Sequence, residues 1–128
     1  MTKTILVGVS DIFFYTKIRD AFRPQGYTLE RVRKQEDVVG LLSKMEPMAL
    51  IVNMNDDRLD ATQILETVRS DSQAQHLPVL AFANHEEVQA WKEAKRLGIN
   101  KIVSRNEFSA RTLALLEEMI GASNGSAL

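Results

Sequence analysis

The segment Met48–Asn53, with the sequence MALIVN, decides the fold. Its apolar residues follow one another without polar alternation, which indicates a strand buried on both faces, as in the interior of a parallel sheet. Pro47 precedes the run and Asn53 ends it. The strand therefore brings one polar side chain to the carboxyl edge of the sheet, where open α/β folds usually place their sites.

Outward from this segment, a strand followed by a helical pattern occurs five times along the chain. The predicted strands are Thr4–Val9, Tyr27–Val32, Met48–Asn53, Leu77–Ala83 and Lys101–Ser104. Apolar residues then recur at three- and four-residue steps, which is typical of helices. This alternation predicts a doubly wound, five-stranded parallel sheet with five helices, a flavodoxin-like α/β fold.

The predicted helix ends follow from capping residues. Ser10 is the expected N-cap of the first helix, and Asn84 or His85 that of the fourth, which Gly98 ends in the left-handed conformation. The last helix is expected over Ser109–Ile120. Residues 1–120 are then one domain, and the small and polar residues 121–128 are a flexible tail or the start of a linker.

Composition narrows the classes of function. The chain has 128 residues, enough for one core, and its net charge of −1 gives no reason to expect a nucleic-acid or membrane partner. It has no cysteine, which excludes disulfides, thiolate metal sites and thiol nucleophiles. The longest apolar runs have strand length and no signal-type segment begins the chain, so we expect a cytoplasmic protein.

Up to about Ile120, the chain resembles the receiver domains of bacterial response regulators. The segment ILVGVS at residues 5–10 occupies the register of the family's Ile-Leu-x-Val-Asp-Asp, so Val9 and Ser10 stand where two magnesium-binding acids would be, with Asp11 one residue later. The interval from Pro47 to Asn53 equals the interval between the proline and the phosphoryl-accepting aspartate in the family's third-strand motif. The resemblance therefore places Asn53 at the position of the phosphoryl-accepting aspartate.

The other positions that the resemblance identifies are also altered. Ala83 stands where the family has a threonine or serine, Ile102 where it has an aromatic switch residue, and Arg105-Asn106 where it has lysine and proline. Only the positive charge of Arg105 is retained. An amide cannot attack phosphorus, and these residues lack the anionic oxygens that magnesium requires. We therefore predict a pseudo-receiver with no catalytic residue, no metal site and no cofactor.

Local roles can be predicted for several of these residues. Asn53 is expected to cap backbone groups at its strand end, and Asp60 to cap the third helix. Arg105 is expected to form an ion pair with Asp11 and Asp56. We expect a core-facing stripe on the fourth helix, formed by Val88, Trp91 and Ala94. Phe13 is expected to be exposed beside the altered site.

The leading functional hypothesis is a regulatory module that binds a protein partner or an output domain without being phosphorylated. The surface around the fourth helix and fifth strand, with Lys95, Lys101 and Arg111, is the expected interface, and homodimerisation stays open. An alternative is a phosphoacceptor receiver whose attacking carboxylate is displaced to Asp56 or Asp57. A small-ligand or enzymatic flavodoxin-like domain is a third hypothesis, against which the chain lacks a glycine-rich phosphate loop.

Overall fold

A computed structural model describes residues 3–125 of the protein, with side chains described up to Gly121. The strands are β1 Thr4–Gly8, β2 Thr28–Arg31, β3 Ala49–Asn53, β4 Val79–Ala83 and β5 Lys101–Ser104. The helices are α1 Ile12–Phe22, α2 Val38–Met45, α3 Ala61–Ser70, α4 Val88–Arg96, α5 Arg105–Ala110 and α6 Thr112–Gly125. The strands form one parallel sheet in the order β2-β1-β3-β4-β5, which confirms the predicted architecture.

The three central strands of the sheet are buried on both faces, as the uninterrupted apolar runs predict. Every residue of β1, β3 and β4 is buried. Because successive strand residues point to opposite faces, Ile51 belongs to one core cluster, while Leu50 and Val52 belong to the other. The first cluster includes residues of α1, α5 and α6, and the second includes residues of α2 and α3.

The predicted N-caps of the first and fourth helices are wrong. Asp11, one residue after Ser10, caps α1, because its Oδ1 accepts hydrogen bonds from the backbone N–H groups of Phe13 at 2.9 Å and Phe14 at 3.1 Å. Helix α4 begins only at Val88, and its N-cap residue Glu87 makes no side-chain capping bond. Asn84, one of the two expected caps of α4, instead donates its backbone N–H to Asn55 Oδ1 at the sheet edge.

The core-facing stripe of α4 is only partly present. Ala94 is fully buried and Trp91 is half-buried, with its Nε1 donating to the Asn84 carbonyl at 3.1 Å. Val88 is 60% exposed, contrary to the prediction. The six-residue step from Val88 to Ala94 turns the helix by about 240° beyond a full turn, so the two side chains lie on different faces.

The end of α4 is held by Arg69, which lies in the last turn of α3. Its guanidinium donates to four backbone carbonyls, at distances of 3.1 Å to Leu97, 3.1 Å to Gly98, 2.9 Å to Leu77 and 3.1 Å to Gln75. Gly98 has a φ of 66°, the left-handed conformation predicted for the end of this helix. Arg69 thus joins α3, the segment before β4 and the end of α4.

The final helical region differs from the single predicted helix. Ser104 caps α5 through a 3.1 Å hydrogen bond from the Glu107 N–H, so the helix begins directly after β5. Arg111, with φ −132° and ψ 35°, separates α5 from α6 and gives six helices in the described chain. The hydroxyl of Thr112 donates to the Phe108 carbonyl at 2.7 Å across this break.

Helix α6 continues to Gly125, five residues beyond the predicted end at Ile120. The first part of the expected tail is therefore helical, and residues 126–128 lie outside the described residues. Within residues 3–125, no helix is long and apolar enough to span a membrane.

Candidate functional site

The candidate site lies where β1, β3, β4 and β5 end, at one edge of the sheet. Asn53, the last residue of β3, is 6% exposed, and its Oδ1 accepts the backbone N–H of Asn55 at 2.9 Å. This bond confirms the predicted capping role. The side-chain oxygen of Asn53 is therefore engaged by its own loop.

A second asparagine joins the loop after β3 to the segment after β4. Asn55 Oδ1 accepts the backbone N–H of Asn84 at 2.9 Å, which joins the end of β3 to the segment after β4. The Met54 N–H donates to the Phe82 carbonyl at 2.9 Å in the same region. Neutral amide and backbone groups thus hold these two strand ends together.

Asp56 joins the loop after β3 to the loop after β1. Its Oδ2 accepts the Ser10 N–H at 2.7 Å, and its Oδ1 accepts the N–H groups of Arg58 and Leu59, each at 2.9 Å. Both carboxylate oxygens are therefore occupied. Asp60 has the predicted role of capping α3, because its Oδ1 accepts the Gln63 N–H at 3.1 Å.

The environment of Asp56 favours its charged form. Partial burial by itself raises the pKa of this carboxyl, but hydrogen bonds from the backbone and hydroxyl of Ser10 and from the N–H groups of Arg58 and Leu59 outweigh that effect. The pKa of Asp56 is consequently below its ordinary value. Donated hydrogen bonds that stabilise an anion also lower its nucleophilicity, so this carboxylate is suited to structure more than to attack on phosphorus.

The positions that resemble the acidic pair hold no free carboxylate. Val9 is fully buried among core residues, and Ser10 is half-buried with its N–H bonded to Asp56. Asp11 caps α1. Within residues 3–125, no group of three His, Cys, Asp or Glu side chains is placed as a metal site requires. The residues at this edge do not fit the magnesium ion that the receiver resemblance implies, because that ion needs several oxygen ligands in octahedral geometry.

The predicted ion pair of Arg105 is wrong. The Arg105 guanidinium lies over aromatic rings, at 4.4 Å from the Phe14 centroid and 6.0 Å from that of Phe82, and it makes no ion pair within the described chain. Asp11 and Asp56 are already bonded to backbone N–H groups, whereas the aromatic faces attract the delocalised cation. Arg105 therefore extends the core at this edge.

The aromatic cluster beneath Arg105 was not predicted from the sequence. The ring centroids of Phe82 and Phe108 are 4.4 Å apart, and Phe14 lies 5.0 Å from the first and 5.8 Å from the second. The spacing of Arg105 and Phe108, three residues apart after a strand, was the available signal, since such residues are neighbours on a helix.

The two switch-equivalent positions are occupied by aliphatic side chains. Ala83 is 1% exposed at the end of β4, where it pairs in register with Ser104. Ile102 is half-buried and packs against the second core cluster. Neither side chain offers a hydroxyl or an aromatic ring.

The predicted interaction surface is partly engaged within the chain. Lys101 lies 3.7 Å from Glu118, and Arg111 pairs with both Glu107, at 3.1 Å, and Glu118. Lys95 is exposed and has no ion pair with any described residue. Phe13 is 85% exposed, as expected.

Comparison with known proteins identifies the architecture. No protein-family model and no curated protein matches the chain. Among solved structures, the Vibrio cholerae chemotaxis protein CheY4 has a TM-score of 0.80 at 16% identity, with 93% of this chain and 99% of that chain covered.

Two further structures are informative. The receiver domain of a sensor histidine kinase from Pseudomonas aeruginosa, with a magnesium ion coordinated in its active site cleft, has a TM-score of 0.80 at 17% identity, covering 94% of this chain and 99% of its own. The phosphorylated cyanobacterial phytochrome response regulator RcpA has a TM-score of 0.80 at 13% identity, covering 95% of this chain and 96% of its own. The neighbours confirm the resemblance at the level of architecture: this chain has the fold of response-regulator receiver domains.

Proposed function

We propose that this protein is a pseudo-receiver, a signalling module that binds a regulatory protein or an output domain without being phosphorylated. One observation carries the proposal: at the sheet edge, the side-chain oxygens of Asn53, Asp11 and Asp56 already accept backbone hydrogen bonds, from their own loops and, for Asp56, also from Ser10 in the loop after β1. The structural neighbours named above are a chemotaxis protein, a receiver domain of a sensor histidine kinase and a phytochrome response regulator, which supports a signalling context.

The proposal is tested by exposing the chain to acetyl phosphate and magnesium and measuring its intact mass. We expect no added phosphoryl group, because Asn53 has no nucleophilic oxygen and Asp56 is held by three N–H groups. The displaced-carboxylate alternative predicts labelling that Asp56→Asn or Asp57→Asn removes. Stoichiometric labelling lost in either variant would replace the pseudo-receiver proposal with that alternative.

Thermal melting with magnesium and beryllium fluoride provides an independent measurement. A ligand present at about 100 times its dissociation constant stabilises the native state by roughly 2.7 kcal/mol. We expect no such stabilisation, because Asn53 is uncharged and the carboxylates of Asp11 and Asp56 already accept backbone hydrogen bonds. A saturable increase in the melting temperature that requires magnesium together with beryllium fluoride would contradict the proposal.

The partner surface is proposed to include Lys95, whose ammonium is exposed and unpaired in the described chain. Charge reversal at Lys101 or Arg111 would also remove intramolecular ion pairs, so Lys95→Glu is the cleaner probe. We expect Lys95→Glu to weaken partner binding or self-association, and the matched variant Lys44→Glu on α2 to leave it unchanged. Asn53→Ala should have little effect; loss of binding in Asn53→Ala alone would place the interface at the altered site.

A further inference from the structure

Three arginines and no acidic residue line a small cavity beside the carboxyl edge of the sheet. The cavity measures about 80 Å³ and is lined by Ser10, Arg31, Val32, Arg33 and Arg58. The neighbouring cleft on the outer side of β2 shares Arg31 and Arg33 with this cavity but also contains the acidic residues Glu30, Glu36 and Asp37. The smaller cavity therefore concentrates one sign of charge.

None of the three guanidinium groups is paired directly with a carboxylate of the described chain. Arg31, Arg33 and Arg58 form no ion pair within 4.0 Å of a described carboxylate. Asp56 is hydrogen-bonded to the backbone of two lining residues, Ser10 and Arg58. Its two oxygens accept three backbone N–H groups in all. Like charges held around one cavity repel one another, and an anion between them relieves that repulsion.

The backbone under the cluster is fixed in place. The Val32 N–H donates to the Val7 carbonyl at 2.9 Å, and Val32 is buried, so the β2 end that carries Arg31 and Arg33 is anchored to β1. The Arg31 guanidinium lies 5.5 Å from the Tyr15 ring centroid. Asp56 ties the Ser10 and Arg58 backbones together. The backbone segments that carry the three arginines are therefore held in place by hydrogen bonds that need no anion.

We propose that this cavity is a binding site for a phosphate-class oxyanion, with Arg31, Arg33 and Arg58 as its ligands. Guanidinium groups match the geometry of phosphate oxygens with paired N–H donors. A volume of about 80 Å³ is equivalent to two or three water molecules at about 30 Å³ each, which admits one tetrahedral anion. It is far below the roughly 300 Å³ of sites that enclose a whole organic ligand.

The proposal does not depend on the proposed function: the cavity shares Ser10 with the altered site, but its proposed ligands, Arg31, Arg33 and Arg58, are not among the altered residues. The ligand is a small anion, either free phosphate or the phosphate head of an organic molecule whose remainder lies outside the cavity. The net charge of −1 and the small size of the cluster argue for such a ligand in preference to a polyanion.

The test is an NMR titration of the backbone amides with sodium phosphate, compared with sodium chloride at equal ionic strength. We expect saturable shifts for Ser10, Val32, Arg33 and Arg58 with phosphate only. Arg33→Gln and Arg58→Gln should each weaken binding about tenfold or more, because each removes charge-assisted hydrogen bonds. The control variant Arg23→Gln, at an exposed position after α1 without an ion pair in the described chain, should bind as the parent does.

A parallel titration with glycerol phosphate distinguishes the two sources of the anion. Tighter binding of glycerol phosphate than of phosphate supports the head group of an organic ligand, and equal binding supports the free ion. Equal shifts with chloride and phosphate would overturn the proposal. Equal weakening by Arg23→Gln and Arg58→Gln would overturn it as well, because the effect would then reflect overall charge.

Discussion

Replacing Asp56 with alanine should destabilise the protein more than any other single change to a carboxylate at this edge. The substitution removes an acceptor from three backbone N–H groups, those of Ser10, Arg58 and Leu59. The bonds from Ser10 and Leu59 are partly buried, whereas that from Arg58 is exposed, so water replaces the acceptor most readily at Arg58.

The expected magnitude follows from these bonds. A hydrogen bond to a charged group contributes about 1.5–3 kcal/mol, and solvent access reduces that contribution. Two partly buried donors losing their acceptor therefore lower the free energy of unfolding by about 2–4 kcal/mol. For a chain of 128 residues, this change lowers the melting temperature by about 7–15 °C.

Asp56→Asn distinguishes the contributions of the two carboxylate oxygens. The asparagine oxygen can still accept from Arg58 and Leu59, but its amino group then faces the Ser10 N–H as a second donor. We expect a loss of about 1–3 kcal/mol in the free energy of unfolding. The adjacent variant Asp57→Ala is the matched control, since Asp57 is exposed and its side chain makes no hydrogen bond within the described chain.

The difference between the parent and Asp56→Asn should depend on pH. The folded-state pKa of Asp56 is lowered, so its carboxylate stabilises the fold above the unfolded-state pKa of about 3.9, and this contribution is lost as pH falls through the folded pKa. Urea denaturation should therefore show a constant difference from neutral pH to about pH 5 and a shrinking one below about pH 4. Equal stabilities of Asp56→Ala and Asp57→Ala at neutral pH would refute the assigned role.

Three other changes have defined outcomes. Arg69→Met should lower the free energy of unfolding by about 2–4 kcal/mol, because four carbonyls lose their charged donor, and urea denaturation would measure it. Phe108→Ala should lower it by about 3–5 kcal/mol, since Phe108 is fully buried in the aromatic cluster; a loss under 1 kcal/mol in calorimetry would contradict that packing. Asn53→Asp should not restore metal-dependent phosphorylation, because Val9 supplies no oxygen ligand; efficient labelling by intact mass would show that another carboxylate binds the metal.

Local patterns predicted the sheet and several single-residue roles well. Uninterrupted apolar runs identified β1, β3 and β4, because strands covered on both faces need no polar alternation. The caps by Asn53 and Asp60 were predictable because their partners lie two and three residues away. By contrast, Ser10 and Asp11 are both good N-caps, and the sequence alone could not decide between neighbours.

The contacts that define the site were not predictable, because they join residues distant in the chain. Asp56 and Ser10 are separated by 46 residues, so the loop-to-loop bond is visible only once the strands are aligned. Arg105 had both acids and aromatic rings as plausible neighbours. The choice between them depended on which acids were already bonded to backbone N–H groups, and that is a property of the folded loops.

The buried Val9 has a consequence for the relation between stability and function. A site that gathers carboxylates destabilises its own fold through like-charge repulsion until a cation arrives. A fully buried valine instead contributes about 1.5 kcal/mol or more to folding at the same kind of position. Val9 therefore stabilises the fold whether or not a cation is present, and we expect chelators and divalent cations to leave the melting curve of the protein unchanged.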